Sequence, residues 1–132
     1  MRVANWQIEF EAFCKGRVHM PFEWGKNDCV LFAADCVLAL TGKDPAQGHR
    51  GYTTALQAAR LLRRLGGVHA LATAALGKQM SLAHASIGDI VVVNLNGIES
   101  LGVCNGSCCM GPAVDGFMHV ELARATAAWR VG

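Results

Sequence analysis

Residues 21–42 read Pro21-Phe22-Glu23-Trp24-Gly25-Lys26-Asn27-Asp28-Cys29-Val30-Leu31-Phe32-Ala33-Ala34-Asp35-Cys36-Val37-Leu38-Ala39-Leu40-Thr41-Gly42, and they change character at Cys29. Before it the chain is an aromatic, glycine-containing loop; after it, it is apolar almost without a break, with Asp35 the single interior charge. Asn27 or Asp28 suits the N-cap of a helix, because a short side-chain oxygen accepts from the free amides of the first turn. Gly42 suits its end, because glycine enters the left-handed C′ conformation without strain. A helix apolar on nearly every side must be buried on nearly every side. The stretch therefore predicts a central buried helix with Cys29 in its first turn. Free amides and the helix dipole favour a thiolate there, so Cys29 is the candidate nucleophile, although the neighbouring Asp28 carboxylate opposes its ionisation. The alternative is a small buried residue at the head of a core helix.

Working outward, residues 4–15 form a first helix, with Trp6, Phe10, Phe13 and Cys14 on one face and Gly16 ending it. Phe22 and Trp24 read as loop aromatics packed into the core. Beyond the polar loop 43–51, Thr53 or Thr54 caps a helix running to Leu65. Its Arg60, Arg63 and Arg64 read as a solvated flank. Gly66-Gly67 breaks it, and a second short helix runs from Val68 to Leu76. The period then changes. Ile90–Val93 and Ile98–Cys104 are strands joined at Asn96-Gly97, and Asn105-Gly106 offers a second hairpin turn into a third strand through Cys109 or Met110. Phe117–Leu122 and Ala128–Val131 give two more, with a turn or short helix over 123–127. Helices first and an antiparallel meander afterwards make an α+β fold in one domain, 1–132.

The chain has 132 residues, 52% of them hydrophobic and 17% charged, with a formal net charge of +2. That charge is too small to point to nucleic acid. Abundant apolar residues with few charges suggest apolar surface that meets another protein. No run reaches the roughly 18–20 apolar residues of a membrane span, and the opening Met1-Arg2 leads straight into amphipathic structure, which predicts an unprocessed chain made in the cytoplasm. Of the six cysteines, Cys29 and Cys36 lie about 10 Å apart along a helix, too far to bridge. Cys104, Cys108 and Cys109 fall within six residues. They read as small hydrophobes in a tight turn; a soft-metal or iron-sulfur site is the other reading, if Cys14 or a histidine completes the set. The reading adopted is no metal and no cofactor.

The block Phe22-x-Trp24-Gly25-x-x-Asp28-Cys29, followed by the apolar helix, resembles the nucleophile region of the NlpC-type cell-wall cysteine peptidases, and more closely their short relatives encoded in phage tail gene clusters. Gly88-Asp89-Ile90-Val91-Val92-Val93 resembles the segment that opens the sheet in that family, and Leu101-Gly102-Val103-Cys104-Asn105-Gly106 resembles the next strand and turn. The resemblance spans roughly residues 20–106. It implies a papain-like fold with the buried helix packed on an antiparallel sheet and Cys29 as nucleophile. It also implies a basic histidine just before Leu101, where this chain has Ser100 preceded by Glu99. A serine hydroxyl does not take a proton from a thiol near neutral pH. Among the histidines, His119 in a late strand of the same sheet is the candidate replacement, and His84 follows it. Two functions remain. The preferred one is a structural or assembly component of a phage or prophage tail tip or baseplate, carrying an inactive peptidase-like domain, bound to other tail proteins and located in the virion after synthesis in the host cytoplasm. The alternative is an active cysteine endopeptidase or amidase that cleaves peptidoglycan stem peptides. A metal-holding tail component using Cys104, Cys108 and Cys109 is a third.

Overall fold

The computed structural model describes all 132 residues. Four helices come first: α1 (Trp6–Arg17), α2 (Cys29–Thr41), α3 (Ala55–Leu65) and α4 (Val68–Leu76). Five strands follow: β1 (Ile90–Leu95), β2 (Ile98–Asn105), β3 (Cys108–Ala113), β4 (Gly116–Glu121) and β5 (Ala125–Trp129). Short 3-10 turns cover Leu82–His84 and Leu122–Arg124. The strands form one antiparallel sheet in the order β4-β3-β2-β1-β5, so the class is α+β. The first four strands are a meander. The fifth starts three residues earlier than the sequence suggests and crosses to pair with β1, which covers the edge β1 would otherwise expose.

Local chemistry sets α2 at both ends. Asp28 is its N-cap, with one carboxylate oxygen accepting from the Leu31 amide at 2.9 Å. Gly42 closes it at φ 77°, with its amide donating to the Leu38 carbonyl at 2.8 Å. Two faces of the helix are buried. Phe32, Ala33, Cys36, Val37 and Leu40 join the main core with Ile90, Val92, Leu101, Val103, Met110 and Trp129 of the sheet. Leu31 and Ala34 pack instead against Ala46, with Tyr52 alongside, from the loop that follows the helix. Asp35, the interior charge, lies between Arg17 and Arg50 and bonds to both.

α1 runs through Gly16 rather than ending there. An interior glycine weakens a helix by about 1 kcal/mol relative to alanine. Continuing the helix places Arg17 where it donates to Asn27 Oδ1 at 2.8 Å and to the Asp35 carboxylate, and charged hydrogen bonds of that kind offset the loss. The first hairpin signal holds, and the second hairpin forms with its loop one residue later than Asn105-Gly106. Asn96 and Gly97 both have positive φ, 55° and 87°, the requirement of a type I′ turn between Leu95 and Ile98. Gly106, at φ 81°, is the first residue of the two-residue loop between Asn105 and Cys108. No helix is long and apolar enough to cross a membrane.

Candidate functional site

Cys29 opens α2 beneath the loop 21–28, half-buried. That loop is held by polar contacts to buried residues. Asn27 donates to the carbonyls of Met20 and Pro21 at 3.2 and 3.0 Å while accepting from Arg17. Asp28, also buried, uses both oxygens: Oδ1 caps the helix, and Oδ2 accepts from the Gly25 amide at 2.9 Å and from the Tyr52 hydroxyl at 2.6 Å. Gly25 has φ 81°, and a Cβ there would lie 2.0 Å from the Tyr52 carbonyl oxygen, so glycine is required by both conformation and space.

A cavity of about 370 Å³ lies against Cys29. Its walls are mostly apolar side chains from α2, α3, α4 and the sheet; its polar lining includes Asp28, Cys29, His49, Tyr52, Glu99 and Ser100. Part of it lies where the sheet comes apart. Pairing of β2 with β3 stops at Val103–Met110, and Gly102, Gly111 and Pro112 beyond that pair line the space. Pro112 has no amide to continue the ladder. Phe22 and Trp24 line the cavity too, their rings edge to face at 4.8 Å, with Trp24 exposed rather than packed in the core.

The thiol is not activated by this setting. Burial pushes the Cys29 pKa up, and the Asp28 charge adds to the rise; the backbone at Leu101, Val30 and Cys29 itself pulls the other way with less effect on balance. Desolvation therefore opposes the thiolate that a helix N-terminus favours. Neither expected histidine lines the cavity at Cys29. His119 is exposed on β4, 5.9 Å from the Phe117 ring, and it does not line the cavity although its neighbours Met118 and Val120 do. His84 is exposed in the 3-10 turn before β1. Ser100 lines the cavity, and Glu99 is bound by His69 at 2.6 Å.

Three residues that sequence reasoning passed over belong to the site. His49, in the loop after α2, lines the same cavity as Cys29. Tyr52 bonds to Asp28, and burial together with that bond lifts its pKa. Arg50 anchors the loop carrying both, through Asp44 at 2.9 Å and Asp35 at 2.6 Å. A polar loop rich in turn formers was the only signal. The cysteine cluster divides between the faces of the sheet. Cys104 and Cys109 are paired across β2 and β3 and buried in one apolar cluster, whereas alternation turns Cys108 the other way. No group of three His, Cys, Asp or Glu side chains converges in a metal-holding arrangement.

The chain matches the family described as Domain of unknown function (DUF6950) over residues 1–131. It belongs to that family. The match covers the loop, α2, the cavity walls and the whole sheet, so the site lies entirely within the family's domain. No curated protein matches the chain.

Proposed function

We propose that this chain is an NlpC-like, papain-like domain without peptidase chemistry, acting as a structural or assembly component of a phage or prophage tail tip. The observation that carries the reading is at Cys29: the thiol stands in an apolar cavity beside the Asp28 carboxylate, where burial raises its pKa, and Ser100 stands where the NlpC resemblance implies a histidine. What supports the tail assignment is the resemblance of the Phe22–Cys29 and Gly88–Val93 segments to tail-cluster relatives. In this reading the apolar cavity seats apolar side chains of a neighbouring tail protein. An active peptidoglycan peptidase is the competing reading, and it has one observation on its side: Cys29 and His49 line one cavity.

The two readings separate in one set of measurements. Site-resolved alkylation across about pH 5 to 10 gives a Cys29 midpoint above the ordinary thiol value of 9.0 if the domain is inert. Wild-type protein then releases nothing from peptidoglycan, and tails carrying Cys29→Ala assemble as wild type does. A midpoint below about 7, with hydrolysis lost in both Cys29→Ala and His49→Ala, establishes the peptidase instead. Particles that lack the protein and assemble without its gene overturn the tail role.

A further inference from the structure

Cys104 and Cys109 stand directly opposite each other on neighbouring antiparallel strands. The backbone bonds of Cys104 fix the type of this pair. Its amide donates to the Asp89 carbonyl at 2.8 Å and its carbonyl accepts from the Gly88 amide at 2.9 Å, so both groups point toward the β1 side and away from β3. The two-residue loop Gly106-Ser107 requires the same: Asn105 and Cys108 close the turn as the hydrogen-bonded pair, and the next pair along is the non-hydrogen-bonded kind. In such pairs the Cα atoms lie about 4.5 Å apart and the side chains are at their closest. Disulfides span Cα separations of roughly 4.4–6.8 Å. Both side chains share the buried cluster on the face away from α2, under Met80, Leu82 and Leu122. Burial raises the Cys109 pKa, and the charges of Cys104 and Cys108 add to the rise.

We infer that Cys104 and Cys109 are a dithiol built to close as a cross-strand disulfide, which staples β2 to β3 when the protein meets an oxidant of the small-molecule disulfide class. Local opening of the β2–β3 hairpin exposes the buried pair and lets one thiol ionise; that protein thiolate attacks the small disulfide, whose S–S bond breaks and releases one small thiolate. The second protein thiolate then attacks the protein sulfur of the mixed disulfide and expels the other small thiolate. The protein loses two electrons and two protons; the small disulfide gains them and leaves as two thiols. All six cysteines are free in the structure. The staple closes just beyond Leu101 and Gly102, where β2 lines the cavity, and so fixes the part of the sheet from which β2 and β3 separate. Cys108 has no place in the bond, since it faces the other side.

The test uses the full chain, reduced and then incubated with oxidised glutathione. Acid quenching, alkylation and peptide mapping follow. The expected product is a monomer that has lost two hydrogens, with Cys104 and Cys109 protected from alkylation and Cys108 still alkylated. It melts at a higher temperature than the reduced form and reverts with dithiothreitol. Cys108→Ala still forms the bond, and Cys104→Ala and Cys109→Ala do not. A bond that includes Cys108, mixed glutathione adducts without closure, or six alkylatable thiols after prolonged oxidation would each overturn the inference. Wild-type mapping decides the matter even if a buried-cysteine variant fails to fold.

Discussion

At the level of single residues the site turns on Asp28, which performs three tasks with one carboxylate. It caps α2, fixes the Gly25 turn, and accepts from Tyr52. Asparagine would keep the cap, because its carbonyl oxygen serves as well as a carboxylate at that position. Its amide nitrogen cannot accept, so the bonds from Gly25 and Tyr52 would be lost in a buried place. Asp28→Asn is expected to cost about 1–3 kcal/mol in urea denaturation, the usual penalty for orphaned buried groups. The same substitution removes the charge that opposes Cys29 ionisation, so the alkylation midpoint of Cys29 should fall. A midpoint unchanged in Asp28→Asn would mean that the carboxylate does not act on the thiol. The cap itself was legible in the sequence because Asp28 and Leu31 are three residues apart. The tyrosine was not, because it lies 24 residues away and reaches Asp28 only when the loop after α2 folds back.

Among the elements, α2 is the part others are fastened to, and Asp35 is the fastening. Arg17 brings in α1 and Arg50 brings in the loop that carries His49 and Tyr52. Asp35→Asn halves the acceptor capacity and leaves two guanidinium groups sharing a neutral partner. A loss of about 1.5–3 kcal/mol follows, the contribution of the one hydrogen bond to a charged group that Asn can no longer accept. Hydrogen exchange adds a more local readout: amides of the 43–54 loop should lose protection before those of the sheet. Uniform loss across the chain would show that the loop is not a separately held unit. The contrast in legibility is physical. The helix caps and the Asn96-Gly97 turn depend on neighbours within a few residues, so local chemistry announced them. The extension of α1 past Gly16 and the placing of β5 beside β1 are fixed by partners far along the chain, namely Asp35 and the β1 edge. An alternating strand pattern shows which face is buried but not which strand lies next to it.

Over the whole molecule, both ends of the chain meet at buried Asp89. Its Oδ1 accepts from Arg2 and from the Val131 amide, both at 3.0 Å, and Arg2 also donates to the Val131 carbonyl at 2.8 Å. Arg2→Ala leaves the carboxylate without its cation and is expected to lower stability by about 3–5 kcal/mol, measured by denaturant midpoint. A second property belongs to the molecule as a whole, its response to alkali. Burial pushes Cys36 up to about 12 and Cys109 up to about 11, and it lifts Tyr52 as well. In the unfolded chain the thiols ionise near 9.0. Below that pH both states hold their protons and the full stability is present. Between about pH 9 and 12 the unfolded chain releases protons that the folded chain retains, so stability falls as pH rises, by up to about 1.4 kcal/mol per pH unit for each group. The denaturation midpoint should therefore be flat from about pH 7 to 8.5 and decline steeply above pH 9. Cys36→Ala should flatten that decline, whatever it does to stability at neutral pH, because alanine has no proton to lose. A decline of equal slope in Cys36→Ala and wild type would show that this thiol ionises as readily in the core as in water, and that α2 is not sealed against the sheet.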